Sequence, residues 1–101
     1  MYFIYSNFPN MKEAQKAGKN LVEGGLCCCV NILKSYSSIY KWKGKIAEES
    51  EYVLIAKTPD EKVAGAEKAL KAGHSYEVPE IVKIKLDGVN AEYEKWCRGI
   101  R

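Results

Sequence analysis

The sequence lacks long apolar segments and has no concentration of charge of one sign. No apolar run approaches the roughly 18 residues that a membrane-spanning helix needs, and no basic segment precedes a hydrophobic stretch at the N-terminus. The net charge is only +3 in 101 residues, with lysines spread along the chain. We therefore predict no membrane partner, no secretory signal and no nucleic-acid partner.

Catalytic motifs are missing as well. There is no glycine-rich phosphate loop, no His-Glu-x-x-His motif and no nucleophile elbow. The single histidine, His74, falls in a predicted loop. A thiol enzyme in which Cys29 is the nucleophile and His74 the base remains an alternative, but a cysteine in mid-strand is usually buried and inert. The sequence therefore predicts no catalytic residue and no enzyme.

Cysteine is scarce except in one run. Three of the four cysteines are adjacent, Cys27, Cys28 and Cys29, and the fourth is Cys97. This spacing matches neither a zinc site nor a disulfide framework, so we expect free thiols in a reducing, cytoplasmic environment. In a strand, alternate side chains point to opposite faces, so three adjacent thiols cannot close around one ion. We expect Cys27 and Cys28 to be packing residues.

Hydrophobic periodicity and turn signals predict one domain over residues 1–101. Asn10 and Glu13 predict a capping box for the first helix, and Thr58 with Glu61 predicts another for the second. The predicted strands are 2–8, 26–42, 45–57 and 80–86, with helices after the first, the third and the fourth. This order is that of an α+β, ferredoxin-like β-α-β-β-α-β sandwich with a long β2-β3 hairpin and a short C-terminal helix.

The predicted hairpin is too long for its domain. Its arms far exceed the mean strand length of about 5–6 residues, so their outer halves should project beyond the core. An apolar ribbon left in water would be prone to aggregation. We therefore expect other subunits to cover the outer side chains Tyr36, Ile39, Tyr40 and Trp42.

Several segments, in this order, resemble the CutA divalent-ion tolerance proteins. They are Phe8-Pro9, Cys29-Val30-Asn31, residues 40–46 (YKWKGKI), Lys57-Thr58, residues 74–79 (HSYEVP) and residues 93–96 (YEKW). The resemblance covers nearly the whole chain. It implies a tight homotrimer built through the long hairpins, a PII-like arrangement of subunits, and a role in tolerance of copper and other divalent cations.

The same resemblance implies site residues and a ligand. Cys29 and His74 are the implied metal contacts, and the implied cleft residues are Lys57, Tyr76, Trp42 and Trp96. The implied partner is a divalent metal ion, with Cu(II) as the first candidate and no obligatory cofactor. The alternative function is a PII-like signalling or interaction scaffold that binds a small ligand between subunits, with incidental metal binding.

Overall fold

A computed structural model describes residues 1–100, and at position 35 it describes the backbone alone. The predicted domain extended to residue 101, which lies outside the described residues. The elements are β1 (Tyr2–Phe8), α1 (Met11–Glu23), β2 (Cys29–Trp42), β3 (Lys45–Thr58), a 3₁₀ turn (Asp60–Lys62), α2 (Val63–Gly73), β4 (Ile81–Lys85) and α3 (Ala91–Arg98). The four strands form one antiparallel sheet in the order β2-β3-β1-β4, with helices packed on it, which confirms the predicted α+β, ferredoxin-like fold.

Helix α1 begins where the sequence predicts it. The Asn10 side chain accepts a hydrogen bond from the Glu13 backbone N–H at 2.8 Å, which satisfies one of the unpaired donors of the first turn. Gly18 lies against the sheet, and a Cβ there would come within 3.0 Å of Val30 Cγ1. Glycine at this position therefore permits the close approach of α1 to β2.

The prediction of a second capping box, at Thr58 and Glu61, is wrong. The Thr58 hydroxyl donates to the Leu26 carbonyl at 2.6 Å and so ties β3 to the segment before β2. After Pro59 the chain makes the 3₁₀ turn, and α2 begins at Val63 without a side-chain cap. Over residues 1–100, no helix combines the length and the apolarity needed to cross a membrane.

The β2-β3 hairpin projects beyond the core. Lys43 and Gly44 both have positive φ, 51° and 79°, as a tight turn between twisted strands requires. The molecule measures 45 Å along its longest axis and 25 and 22 Å across it. On the outer arms Ile39 is 70% exposed and Ile46 is 69% exposed. The predicted projection of an apolar ribbon is thus confirmed for the single chain.

One face of the sheet is open. Strand β4 alternates lysines with apolar side chains, and its lysine face is the one that meets the helices, since Lys83 Nζ lies 2.7 Å from the Glu67 carboxylate of α2. Val82 and Ile84 point the other way and are 42% and 47% exposed. The strand register places them in rows with Tyr5, Ile55, Phe3 and Lys57, and we call this side of the sheet the open face.

Two hydrophobic clusters hold the fold together. The main core lies between the helices and the sheet and includes the fully buried side chains Ile4, Phe8, Leu21, Cys27 and Leu54. A smaller group, which we call the α3 cluster, contains Met1, Cys28 and Cys97, with Cys29, Leu86, Val89, Tyr93 and Ile100 packed partly against it. Helix α3 is thus attached to a cluster separate from the main core.

The cysteines correct two sequence-based expectations. Strand β2 begins only at Cys29, so the preceding Cys27 and Cys28 are not in the strand, and Cys28 and Cys29 both lie at the α3 cluster. Cys28 forms a disulfide with Cys97, with Cα atoms 5.0 Å apart, so the expectation of four free thiols is wrong. The reason is tertiary, because α3 returns the C-terminal segment to the start of β2. Cys27 is a packing residue in the main core, as predicted, and burial raises the pKa of its thiol to about 11.

Candidate functional site: an acidic groove beside the long hairpin

A groove of about 710 Å³ runs between the base of the outer hairpin and the loop that follows α2. Strands β1, β2 and β3 supply one wall, and residues 75–80 supply the other. The lining side chains combine aromatic rings with carboxylates: Tyr5, Asn7, Tyr36, Ser38, Ile39, Tyr40, Trp42, Glu49, Glu51, Ser75, Tyr76, Glu77, Val78 and Glu80. This set contains four glutamates, and none of these described lining residues is a lysine or an arginine.

Glu51 is the buried carboxylate of the groove. It is only 6% exposed, and its Oε2 accepts a hydrogen bond of 2.6 Å from the Tyr76 hydroxyl. Burial and this carboxylate hold the pKa of Tyr76 far above its ordinary value, so the phenol stays protonated and keeps donating. The carboxylate of Glu51 therefore has one hydroxyl donor within the groove, and carboxylate oxygens are ligands that divalent cations favour.

The groove wall is tied together at its other end by Asn7. The Tyr36 hydroxyl donates to Asn7 Oδ1, and Asn7 Nδ2 donates to Glu80 Oε1 at 2.5 Å. Burial raises the pKa of Tyr36, and the neighbouring Tyr5 hydroxyl adds to that rise. These bonds fix β1, β2 and the loop relative to one another, so the groove is preformed.

His74 supports the loop from behind the groove. Its ring stacks on Phe8 with centroids 4.3 Å apart, and its Nδ1 accepts the Tyr76 backbone N–H at 3.3 Å. Burial lowers the pKa of His74, and the backbone of Asn7 opposes part of that shift. In the described part of the chain its enclosed Nε2 has no hydrogen-bond partner of ordinary geometry. Nδ1 is therefore engaged by the loop backbone, and the enclosed Nε2 does not face solvent.

Cys29 lies at the opposite end of the sheet from His74. Its Sγ is 3.8 Å from Lys57 Nζ, which also donates to Asn31 Oδ1 at 2.5 Å. In the sheet register Cys29 is level with Phe3, five residues from the Phe8 that His74 stacks on, or about 17 Å along the strand. One chain therefore does not bring the two predicted metal contacts together.

The predicted cleft residues fall into three places. Tyr76 and Trp42 line the groove, as do the predicted interface residues Tyr36, Ile39 and Tyr40. Lys57 lies beside Cys29 on the open face and does not line the groove. Trp96 is on α3, 52% exposed, with its ring 5.7 Å from that of Tyr93. The groove candidates therefore retain a shared location, and Lys57 and Trp96 do not belong to it.

The groove glutamates were missed by the sequence reasoning. Glu49 and Glu51 lie two apart on β3, so the strand period alone could have placed them on one face of the sheet. Glu77 and Glu80 follow α2 in a loop whose path has no periodicity to predict it. Over residues 1–100, no three histidine, cysteine or acidic side chains converge closely enough to form a ready metal site.

The fold and the groove define a class of protein: a small α+β subunit of ferredoxin-like topology whose central hairpin extends beyond its own core. Comparison with known sequences gives the family. A sequence model described as CutA1 divalent ion tolerance protein matches residues 2–99, and the chain belongs to that family.

Individual relatives agree with this assignment. The divalent-cation tolerance protein CutA of Thermotoga maritima is 38% identical over 98 residues, which are 97% of this chain and 96% of that protein. The CutA homolog of Xenopus laevis is 37% identical over 96 residues, covering 95% of this chain but only 64% of the longer relative. The structure of the divalent cation tolerance protein of Thermus thermophilus superposes with a TM-score of 0.93 at 36% identity, covering 99% of this chain and 98% of that one.

Proposed function

We propose that this protein binds divalent cations in the acidic groove, as a non-enzymatic tolerance protein that assembles into a homotrimer in the cytoplasm. The observation that carries the proposal is the groove itself, with four glutamates and a preformed wall around the buried Glu51. Membership of a divalent ion tolerance family supports the choice of ligand class. The groove donors are carboxylate and hydroxyl oxygens, which bind divalent cations with little selectivity by donor type.

Cu(II) is the first cation to test. For a given set of nitrogen and oxygen donors, divalent first-row metals bind more tightly towards copper, so Cu(II) gives the largest signal at an unselective site. No three ligating side chains converge within the described residues of one chain. We therefore propose that groove carboxylates supply part of the coordination and that water or a neighbouring subunit supplies the rest.

Calorimetric titration of Cu(II) into the full chain tests the groove. We expect Glu51→Gln to weaken binding by about tenfold or more, because it replaces the carboxylate by an amide while keeping an acceptor for Tyr76. Glu92→Gln is the matched control, since Glu92 is an exposed acid on α3, far from the groove. Equal affinities for Glu51→Gln and wild type would place the cation elsewhere. Cys29→Ser and His74→Ala test the two contacts that the resemblance implies.

Exposed apolar side chains support self-association. The open face exposes Val82 and Ile84, and the projecting arms expose Ile39 and Ile46, which is more apolar surface than a small monomer normally leaves in water. We propose that a homotrimer covers these surfaces. Native mass spectrometry should give three chains for the wild type and smaller species for Val82→Glu. The control Val22→Glu, at a partly exposed site on α1, should stay a trimer.

A second function is favoured by the size of the groove. About 710 Å³ lies within the range of pockets that hold small organic ligands. As a PII-like signalling scaffold, the protein would bind an organic cation through the tyrosine rings and glutamates, with incidental metal binding. Thermal unfolding separates the two functions: a shift with a polyamine but none with Cu(II) at equal concentration favours the scaffold. The reverse favours the cation-tolerance function.

A further inference from the structure

Three sulfur atoms meet where α3 packs on the sheet. Cys28 and Cys97 are joined, and Cys29 next to them is free and only partly buried. Two polar groups attend this cluster: Lys57 Nζ is 3.8 Å from Cys29 Sγ, and the Tyr93 hydroxyl is 4.0 Å from Cys28 Sγ. The Tyr93 hydroxyl is thus within reach of a sulfur of the disulfide.

Helix α3 depends on this disulfide for its position. It has eight residues, too few for an isolated helix to be stable in water, and Cys97 is its only buried side chain. Its other ties are weak. Arg98 pairs with Glu61 on the surface at 2.9 Å, and Lys62 Nζ donates to the Ile100 carbonyl at 3.2 Å just beyond the helix.

We propose that Cys28 and Cys97 are a reversible thiol-modification site, whose reactants are low-molecular-weight thiols and their disulfides, and that its redox state controls the docking of α3. A thiolate of the small thiol attacks one sulfur, forms a mixed disulfide and releases the other cysteine as a thiolate, which takes a proton from solvent. A second small thiol then resolves the mixed disulfide. Two electrons and two protons reach the protein, and the small thiol leaves as its own disulfide.

The geometry makes the exchange depend on α3. Cys28 is 6% exposed and Cys97 is 1% exposed, so an attacking thiol reaches the bond only when the helix opens locally. Tyr93 on α3 lies against Cys28 and packs in the same cluster as Cys29. Once the bond is reduced, α3 loses its main anchor, and its opening uncovers both cysteines. This inference stands independently of cation binding in the groove.

Thiol counting and hydrogen exchange on the full chain test the proposal in glutathione buffers of graded composition. We expect two free thiols, Cys27 and Cys29, at the oxidising end and four at the reducing end, with full reversal between them. Amides of α3 should exchange about tenfold faster or more in the reduced protein, while those of β1 and β3 stay unchanged. Equal α3 exchange in both states would overturn the control of docking. Failure of Cys28 and Cys97 to pair at the oxidising end would overturn the site.

Variants separate the switch from general destabilisation. Cys97→Ser should show fast α3 exchange in both buffers, whereas Cys27→Ala, which changes a main-core thiol, should still switch. Arg98→Ala should speed reduction of the disulfide several-fold by weakening a surface tie of α3. Lys83→Ala breaks a comparable ion pair at α2 and should leave that rate unchanged. An equal acceleration by both variants would contradict gating by α3.

Discussion

The main core and the α3 cluster are held together by different means. In the main core, side chains from two helices and the sheet interlock, and large residues such as Phe8 and Leu54 are completely buried. Among the described residues, the α3 cluster buries only Met1, Cys28 and Cys97, and a covalent bond supplies what burial does not. The difference shows how a 101-residue chain can attach a terminal helix that has little apolar surface of its own.

Reduction of the disulfide should have the largest effect on stability. The bond closes a loop with a sequence separation of 69 residues, and in the chain-entropy model such a cross-link contributes about 4 kcal/mol to the free energy of unfolding. Urea unfolding with and without a reductant, at one protein concentration, measures it. Cys27→Ala should keep this redox difference and Cys97→Ser should lose it. A wild-type difference below about 1 kcal/mol would mean that the bond does not constrain the unfolded chain.

Truncation of one leucine in each cluster should give the next largest effect, with a larger loss of unfolding free energy in the main core than in the α3 cluster. Leu54→Ala removes a fully buried side chain from the main core and should lower the free energy of unfolding by about 3 kcal/mol. Leu86→Ala removes a half-buried side chain packed on the α3 cluster and should cost about 1 kcal/mol. Urea titrations of both variants, with the disulfide intact, make the comparison. Equal costs would mean that the α3 cluster packs as tightly as the main core.

The same contrast explains what the sequence could predict. Strand and helix periods are local signals, and they were sufficient for the main core and for the order of elements. For residues such as Ile4 and Leu21, the hydrophobic pattern of the neighbouring sequence predicts which face is buried. The disulfide joins residues far apart in sequence, and its geometry depends on where α3 docks. No local pattern in the cysteine run could therefore have indicated Cys97 as the partner of Cys28.

The candidate site was predictable only in part for the same reason. Tyr76 and Trp42 were identified through the family resemblance, and the structure places both in the groove. Pairing of Cys29 with His74 required knowledge of register, and the register separates them. The buried Glu51 was hidden among several glutamates that a charge count treats alike. Its burial follows from the loop that carries Tyr76, which has no sequence period.

Removal of the asparagine before α1 or before α3 should change stability less than Leu54→Ala does. Asn10→Ala removes the hydrogen bond to the Glu13 N–H at the start of α1 and should cost about 1 kcal/mol of unfolding free energy. Asn90 precedes α3 but makes no side-chain capping bond, so Asn90→Ala should change stability by less than about 0.5 kcal/mol. Urea unfolding of the two variants measures the difference. A larger loss for Asn90→Ala would show that α3 relies on its cap as well as on its disulfide.

Titration of His74 should give the smallest of these effects on the free energy of unfolding. Burial against Phe8 lowers the pKa of His74 below its ordinary value of 6.5, so the unfolded chain takes up this proton first as the pH falls. Stability should therefore be highest above pH 6.5 and should decrease as the pH drops from there towards the folded-state pKa, with a slope of at most about 1.4 kcal/mol per pH unit. His74 is the only histidine in the chain, so no other side chain of that type titrates in this range. Urea unfolding at about pH 7.5 and about pH 5.5 should show this loss in wild type and a flatter profile in His74→Gln.

Hydrogen exchange of α3, corrected for its intrinsic pH dependence, should stay constant over the same interval, because the histidine packs on the main core and not on the α3 cluster. A parallel acceleration of α3 exchange would show that the two regions are coupled through the sheet.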